Sequence, residues 1–284
     1  MKQGGKRLIP SPRRARRKAR RRAALKALLC AMLVLALASG GLLAAYYAGL
    51  HRANAQLEAL ARRVEPARQA LQPQHGAAPA PSGSPPPADA PEAEPERLAL
   101  YRPLAEENPD LGGWIAIAGT AVNYPVMQRP GDGRYYLTHG FDGGLAVGGL
   151  PFLDEGCGLD DPALLVYGHY MKNGAIFTPL LSYLERDFWA EHPTVRLDTL
   201  AQERTYSVLA AFPARVLRRD EAGFRYYVLP DNGESFAAYL EEIRAASVYD
   251  TGVQAQWGDQ LLVLSTCSYH TENGRFVVVA RRDP

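Results

Sequence analysis

The residues with the clearest capacity for chemistry lie near the end of this 284-residue chain. Two aliphatic runs, 261–266 and 276–280, are typical of buried strands, and an Asn-Gly turn signal separates them. If the runs pair as an antiparallel hairpin, Cys267 ends the first strand and Arg275 begins the second. A nearby cation favours the reactive thiolate, and a guanidinium can stabilise a developing oxyanion. The spacing predicts a thiol beside a guanidinium at one rim of a sheet, although a buried cysteine and a surface arginine are also compatible with it.

A histidine follows another predicted strand, at 163–167. Because His169 comes just past the end of this strand in a glycine-containing segment, we expect it on a rim and not in the core. A cysteine nucleophile needs a group that accepts and donates a proton, and histidine titrates near neutral pH. His169 is therefore the first candidate for the base, and His270, three residues after Cys267, is a competing one.

Several short motifs resemble those of class B sortases, which are membrane-anchored cysteine transpeptidases of Gram-positive bacteria. LSTC at 264–267, followed by Arg275, resembles the TLxTC…R signature, and GHYMKNG at 168–174 resembles the GHxMKNG segment. The other matches, in chain order, are NPD at 108–110, GGWI at 112–115, YPV at 124–126, YYL at 135–137 and FLD at 152–154. Two positions depart from the pattern, since Val263 replaces a signature threonine and Tyr170 replaces a common asparagine.

This resemblance implies a reaction and its partners. Cys267 would be the nucleophile that forms a thioacyl enzyme, His169 the proton donor and acceptor, and Arg275 the group that stabilises the oxyanion. The substrates would be secreted proteins with a C-terminal sorting signal, joined to an amine of a cell-wall precursor or a pilin. No cofactor and no metal are expected. A cysteine hydrolase of surface proteins and an inactive membrane-tethered binding module are the alternatives.

Residues around the nucleophile are candidates for substrate contacts. Ser265 and Thr266 precede Cys267, and Tyr269 follows it. The two hydroxyls could equally be strand-end groups with local hydrogen-bond partners. Val263, four positions before the nucleophile, could be a strand residue that faces inward. We expect it to alter packing or substrate fit and to leave the chemistry in place.

Many short strands with turn signals predict a mostly β fold, a β-barrel with peripheral helices. The resemblance implies that the barrel has eight strands. Besides the terminal pair, strands are predicted at 113–117, 122–127, 163–167, 194–197, 205–212 and 226–229. Helices are predicted at 98–107, 175–184 and 235–246.

The N-terminal region predicts a membrane anchor. Residues 1–26 carry twelve Lys or Arg and no acidic residue, and residues 27–50 carry no charge. This apolar length can span a membrane, and the preceding positive charge predicts a cytoplasmic N-terminus with the catalytic domain outside the cell. A cleaved signal peptide and a basic arm for nucleic acid are the competing interpretations. The apolar run continues well past the small-residue cleavage pattern near residue 38, which favours the uncleaved anchor.

The residues after the span divide into a connecting region and a folded domain. Within 51–95, a helix at 53–71 could be a stalk or a docking helix, and 73–95 has the Pro- and Ala-rich composition of a linker. Residues 96–284 are then the catalytic domain. Residues 53–284 have a net charge of −11, which argues against nucleic-acid binding.

The remaining thiols and carboxylates have no assigned role in the sequence. Cys30 lies in the predicted span and Cys157 in a loop. A Cys157–Cys267 disulfide is compatible with an oxidising exterior and would silence the nucleophile. No cysteine or histidine cluster has zinc-ligand spacing. The carboxylates considered for orienting His169 are Asp160, Asp161 and Asp259.

Overall fold

The computed structural model describes residues 12–71 and 94–284. Its α-helices are α1 (Pro12–Leu71), α2 (Glu94–Glu107), α3 (Arg186–Glu191) and α4 (Gly233–Ala246). Two 3₁₀ helices cover Tyr135–Leu137 and Thr178–Leu184. Its strands are β1 (Leu111–Ala116), β2 (Asn123–Met127), β3 (Phe152–Leu153), β4 (Ala163–Tyr167), β5 (Thr194–Thr199), β6 (Thr205–Arg215), β7 (Leu261–Cys267) and β8 (Gly274–Arg282).

The eight strands of the described residues close into a barrel in the order β1-β2-β3-β4-β7-β8-β6-β5. Most neighbours are antiparallel, whereas β2 with β3 and β4 with β7 are parallel. Parallel neighbours need a long connection, and the one between β4 and β7 carries α3, β5, β6 and α4. The predicted mostly β fold, with an eight-stranded barrel and peripheral helices, is confirmed.

The chain divides into two compact units, Met1–His51 and Arg52–Pro284. The helical stretch Arg20–Pro66 contains an 18-residue window that is long and apolar enough to cross a membrane, and none of that window is buried. It is therefore a candidate membrane anchor. Part of the predicted basic tail, residues 1–11, and nearly all of the predicted linker, residues 72–93, lie outside the described residues.

The C-terminal part of α1 belongs to the second unit and packs in its core. Leu57, Leu60 and Val64 are spaced three and four residues apart, so they share one face of the helix, and all three are buried. The sequence predicts that residues 53–71 form either a stalk or a docking helix. This burial favours the docking helix.

A buried ion pair ties α1 to the barrel. The side chain of Arg68 on α1 is 3% exposed, and its Nη2 lies 3.2 Å from Asp198 Oδ2 on β5. The same nitrogen donates a hydrogen bond of 2.7 Å to the Tyr101 hydroxyl on α2. Burial raises the pKa of Asp198, and the neighbouring Tyr101 hydroxyl and arginines oppose that rise. The carboxylate therefore depends on its partners for staying charged in the core.

Replacing Arg68 by methionine should lower the free energy of unfolding by about 3–5 kcal/mol, because it leaves a buried carboxylate without its cation. Denaturant unfolding of the full chain in detergent, followed by tryptophan fluorescence, measures this, since buried Trp114 has its ring 6.0 Å from the Arg68 guanidinium. Arg62→Met is the control on the same helix, because its ion pair with Glu58 is exposed. Equal stability of the two variants would contradict the prediction.

Two sequence predictions of local structure need correction, and one strand is missing from the sequence prediction. Residues 226–229 form a turn and not a strand, since the buried aromatic side chain of Tyr226 comes from packing over the barrel and not from strand pairing. The predicted helix at 175–184 is a shorter 3₁₀ helix, Thr178–Leu184. The two-residue strand β3 was not predicted as a strand, because two residues show no periodicity.

Candidate active site

The terminal hairpin brings the candidate thiol and guanidinium together. β7 and β8 pair antiparallel along their length, and Cys267 is the cross-strand partner of Arg275 at the last position of β7. Both residues are half-buried, as expected at the rim of a barrel whose strand interiors are fully covered. The predicted hairpin and its register are confirmed. Directly opposed residues have Cβ atoms about 4.5–5.5 Å apart, so the two side chains start from neighbouring positions.

The parallel pairing of β4 with β7 brings the candidate histidine to the same rim. Tyr167 at the end of β4 is the partner of Ser265 on β7, and the Gly168 amide donates a 3.1 Å hydrogen bond to the Ser265 carbonyl. His169 is the next residue. Gly168 cannot carry a side chain here, because a Cβ would lie 2.5 Å from the Phe177 ring. The close approach of Phe177 thus fixes the chain where the histidine leaves the strand.

A cleft of about 600 Å³ opens between these elements. Its lining includes the three candidate catalytic residues, His169, Cys267 and Arg275. Tyr226 and Tyr227, from the connection between β6 and α4, line the cleft as well. The volume is in the range of ligand pockets, and the three candidates converge on it. An extended peptide could therefore present a carbonyl group to the thiol inside the cleft.

The histidine has a main-chain partner. Its Nε2 lies 2.8 Å from the carbonyl oxygen of Leu137, in the 3₁₀ helix Tyr135–Leu137. The carboxylates considered from the sequence have other partners. Asp160 pairs with Arg204, Asp161 accepts from the Gly158 amide and Asp259 accepts from the Gln256 amide. The group that holds His169 is therefore a backbone carbonyl and not one of these carboxylates.

The guanidinium of Arg275 is available to a substrate. Its Nη1 donates a 2.9 Å hydrogen bond to the neighbouring Gly274 carbonyl, and in the part of the chain that the structure describes it forms no ion pair with a carboxylate. Its remaining donors can face an anion in the cleft. Burial raises the pKa of the Tyr226 hydroxyl, and the positive charge of Arg275 opposes this rise. A cation without a carboxylate partner beside a thiol suits oxyanion binding.

The three candidate substrate contacts have different surroundings. The Ser265 hydroxyl is bonded to the Tyr226 hydroxyl at 2.9 Å, so it has a local partner. The Thr266 hydroxyl is shielded from solvent and has no hydrogen-bond partner among the described residues. Both residues line the cleft. Tyr269 does not line the cleft. The residue is 79% exposed, and its ring packs edge-to-face on Tyr170, with centroids 5.5 Å apart.

Val263, the residue that replaces a signature threonine, and the thiols Cys157 and Cys267 differ in their burial. Val263 is fully buried in β7, as expected for an inward-facing strand residue. Cys157 and Cys267 are free thiols, so the disulfide considered from the sequence is not formed. Burial raises the pKa of the Cys157 thiol to about 11, which keeps it protonated and unreactive. Between these two thiols, the half-buried Cys267 is the accessible one.

Several cleft residues were not singled out from the sequence. Tyr226 was assigned to a strand, and Tyr227 with it. The carboxylates Asp154 and Glu155 also line the cleft, and Asp154 belongs to the FLD motif that carried part of the resemblance. That motif was the one available signal. Within the described residues, no group of three or more His, Cys, Asp or Glu side chains could hold a metal ion.

Two curated relatives are similar to the sequence, and no family model matches it. Sortase B of Listeria monocytogenes is 31% identical over 183 residues, which cover 62% of this chain and 71% of the relative. Sortase B of Staphylococcus aureus is 29% identical over 188 residues, which cover 64% of this chain and 73% of the relative.

Solved structures share the barrel. A Staphylococcus aureus sortase B–substrate complex has a TM-score of 0.65 at 23% identity and covers 82% of this chain and 97% of its own. Clostridium perfringens sortase B has a TM-score of 0.56 at 26% identity, with coverage of 64% and 99%. At 23% identity, the Staphylococcus aureus structure shows a likeness of fold alone. The Clostridium perfringens structure is a sortase B, as are both curated relatives.

Proposed function

This chain belongs to the sortase B family and is a sortase cysteine transpeptidase, and on that premise we propose that it cleaves a C-terminal sorting signal of secreted proteins and joins them to an amine. The amine belongs to a cell-wall precursor or to a pilin. One observation carries the proposal. A single cleft contains a half-buried thiol, a guanidinium opposite it in the hairpin register, and a histidine held at the end of the neighbouring strand.

In the first half-reaction, the Cys267 thiolate attacks a substrate carbonyl. A bond forms between Sγ and the carbonyl carbon, and the carbonyl oxygen becomes an oxyanion that Arg275 stabilises. When the tetrahedral intermediate collapses, the carbon–nitrogen bond breaks. Protonated His169 gives its proton to the leaving amine, and a thioester remains on the enzyme.

In the second half-reaction, the acceptor amine attacks the thioester carbonyl. His169, now neutral, takes a proton from the amine, and Arg275 again holds the oxyanion. Breaking the carbon–sulfur bond releases the new amide and regenerates the thiolate. The proton on His169 after this step replaces the one given to the leaving amine, so the cycle is balanced.

The candidate anchor gives this chemistry a location. The helix at 27–50 crosses the cell membrane once, with the basic residues 1–26 in the cytoplasm and the catalytic domain, residues 96–284, outside. The exposed apolar window of α1 supports the membrane span, and the basic residues before it support the orientation. An enzyme and a lipid-linked acceptor on one surface meet at a raised effective concentration.

The test uses the full chain in detergent with a panel of fluorogenic sorting-signal peptides, with and without an added amine such as triglycine or a diamine. Intact mass and cleavage are both recorded. A thioacyl adduct on Cys267 that the amine converts into a ligated product supports the proposal. An adduct that only water resolves indicates a hydrolase, and the absence of any adduct from every peptide counts against both enzymes.

Replacing Arg275 by lysine should lower kcat/KM about 100-fold, because an ammonium on a flexible stem cannot reproduce the fixed donors of a guanidinium. Arg281→Lys is the control, since Arg281 lies on the same face of β8 and pairs with Asp283. Steady-state cleavage of the preferred peptide measures both variants. Activity of Arg275→Lys equal to that of Arg281→Lys would remove Arg275 from the mechanism.

A further inference from the structure

The hydrogen bond of His169 fixes which ring nitrogen can exchange a proton. Its Nε2 lies 2.8 Å from the Leu137 carbonyl oxygen. A carbonyl oxygen has no hydrogen to donate, so Nε2 must carry one in both the neutral and the charged ring. The lone pair of the neutral ring is therefore on Nδ1. Any proton that the ring gives or takes while this hydrogen bond persists must pass through Nδ1.

The position of the Leu137 carbonyl depends on a glycine. Gly149 has a φ of +51°, in the left-handed region that favours glycine. A Cβ at this position would lie 2.7 Å from the Leu137 carbonyl oxygen and would also overlap the Tyr136 carbonyl. No real Cβ tolerates such contacts with two backbone oxygens. A side chain at 149 would therefore push away the acceptor that His169 uses.

A buried tyrosine holds the same turn from its other side. The Tyr136 hydroxyl donates to Asp110 Oδ2 at 2.8 Å and accepts from Asn108 Nδ2 at 2.9 Å. Its carbonyl accepts a 2.9 Å hydrogen bond from the Leu150 amide, next to Gly149. Tyr136 is 2% exposed, and burial raises its pKa to about 12, so the hydroxyl stays a donor. The turn that carries Leu137 is thus anchored at side chain and backbone.

We propose that Gly149 and Tyr136 are positioning residues that hold the Leu137 carbonyl against His169 Nε2 and so make Nδ1 the nitrogen that transfers protons. The proposal rests on the acid–base role proposed for His169. In this role, segment 108–110 holds segment 135–137 in place through the hydrogen bonds of Asn108 and Asp110 to the Tyr136 hydroxyl. Neither Gly149 nor Tyr136 touches the reacting atoms in this role.

The first measurement is the tautomer of His169 in the native chain. Full-length protein labelled with ¹⁵N-histidine is reconstituted in nanodiscs, and two-bond ¹H–¹⁵N spectra are recorded over a pH series. The signals of His169 are assigned by their loss in His169→Gln. The expected neutral form has hydrogen on Nε2 and none on Nδ1. A neutral ring with its hydrogen on Nδ1 would overturn the proposal.

Two variants and two matched controls test the positioning. Gly149→Ala and Tyr136→Phe should mix the tautomers of His169 and lower kcat about 10-fold to 100-fold with little change in KM. Gly143→Ala is the first control, since Gly143 also has a left-handed φ, +74°, but its Cβ would meet only the Tyr135 hydroxyl. Tyr135→Phe is the second, because the Tyr135 hydroxyl donates to the Gly143 carbonyl.

The outcomes separate positioning from simple loss of stability. If Gly149→Ala fails to fold, Tyr136→Phe still gives both readings, because it removes one hydroxyl and adds no atoms. Folded variants that keep the native tautomer and the native kcat would overturn the proposal. If His169→Gln itself stays active, the acid–base role fails, while the tautomer measurement still reports whether Leu137 holds the ring.

Discussion

Replacing Cys267 by alanine should reduce transpeptidation at least about 10⁴-fold, because Cys267 supplies the one thiol among the described residues that line the cleft. The same variant should show no mass increase with any sorting peptide, whereas the native chain gains the mass of the acyl fragment. The fold should persist, since Cys267 lies half-buried at the last position of β7, where truncation to alanine leaves no enclosed cavity. Cleavage rate and intact mass measure the two effects.

Cys157→Ala is the matched control for this prediction. It removes the other thiol of the second unit, one that is 5% exposed and whose burial raises its pKa to about 11. It should keep the native rate and form the native adduct, with at most some loss of stability from the vacated core volume. An adduct that vanishes in Cys157→Ala and survives in Cys267→Ala would show that the nucleophile has been misassigned.

The parts of the candidate site that lie at the ends of strongly apolar strands could be predicted from the sequence. Cys267 and Arg275 close and open two strongly apolar runs, so hairpin pairing alone places them opposite each other. His169 follows a third such run. Its meeting with Cys267 depends on parallel pairing of β4 and β7, a long-range contact that periodicity does not reveal. The resemblance to class B sortases supplied that step.

The cleft wall could not be predicted in the same way. Tyr226 and Tyr227 begin an apolar run that has the composition of a strand, and the sequence prediction followed that composition. In the structure they lie in a turn, where the Tyr226 hydroxyl bonds Ser265 and its carbonyl accepts from Tyr239 on α4. Ser265 lies 39 positions from Tyr226, and Tyr239 lies 13 positions from it. Tertiary packing, and not local preference, decides the backbone here.

The hydrogen-bond partner that orients His169 could not be predicted from the sequence. The sequence offers only side-chain candidates for orienting His169, the carboxylates of Asp160, Asp161 and Asp259. The partner is the Leu137 carbonyl, which every residue type possesses, so no side-chain pattern marks it. Gly149 is the one residue whose type reflects the arrangement, because a Cβ there would strike that carbonyl. Main-chain groups at an active site are found from geometry alone.

Replacing His169 by glutamine should reduce kcat/KM for peptide substrates at least about 10³-fold, because glutamine can hold a hydrogen bond but cannot transfer a proton. Both half-reactions should slow, since the leaving amine receives a proton from His169 and the acceptor amine loses one to it. Glutamine roughly keeps the polar character of the side chain, so the variant separates proton transfer from packing. Rapid-mixing mass spectrometry measures acylation and transfer separately.

His270→Gln is the control, because His270 was the competing candidate and lies in the turn after the nucleophile. His270 is exposed, its Nδ1 bonds the Ser268 hydroxyl at 2.9 Å, and it does not line the cleft. It should keep the native rate. Equal losses in the two variants would leave the base unassigned.

An activated substrate sharpens the assignment of His169. When the scissile amide is replaced by an aryl ester, the leaving group departs without being protonated, so acylation of His169→Gln should recover towards the native rate. Transfer to the amine should remain slow, because that step still needs a base. Cys267→Ala should gain nothing from the ester, since it has no nucleophile. An ester that fails to restore acylation to His169→Gln would show that the histidine acts before the leaving group departs, in forming the thiolate.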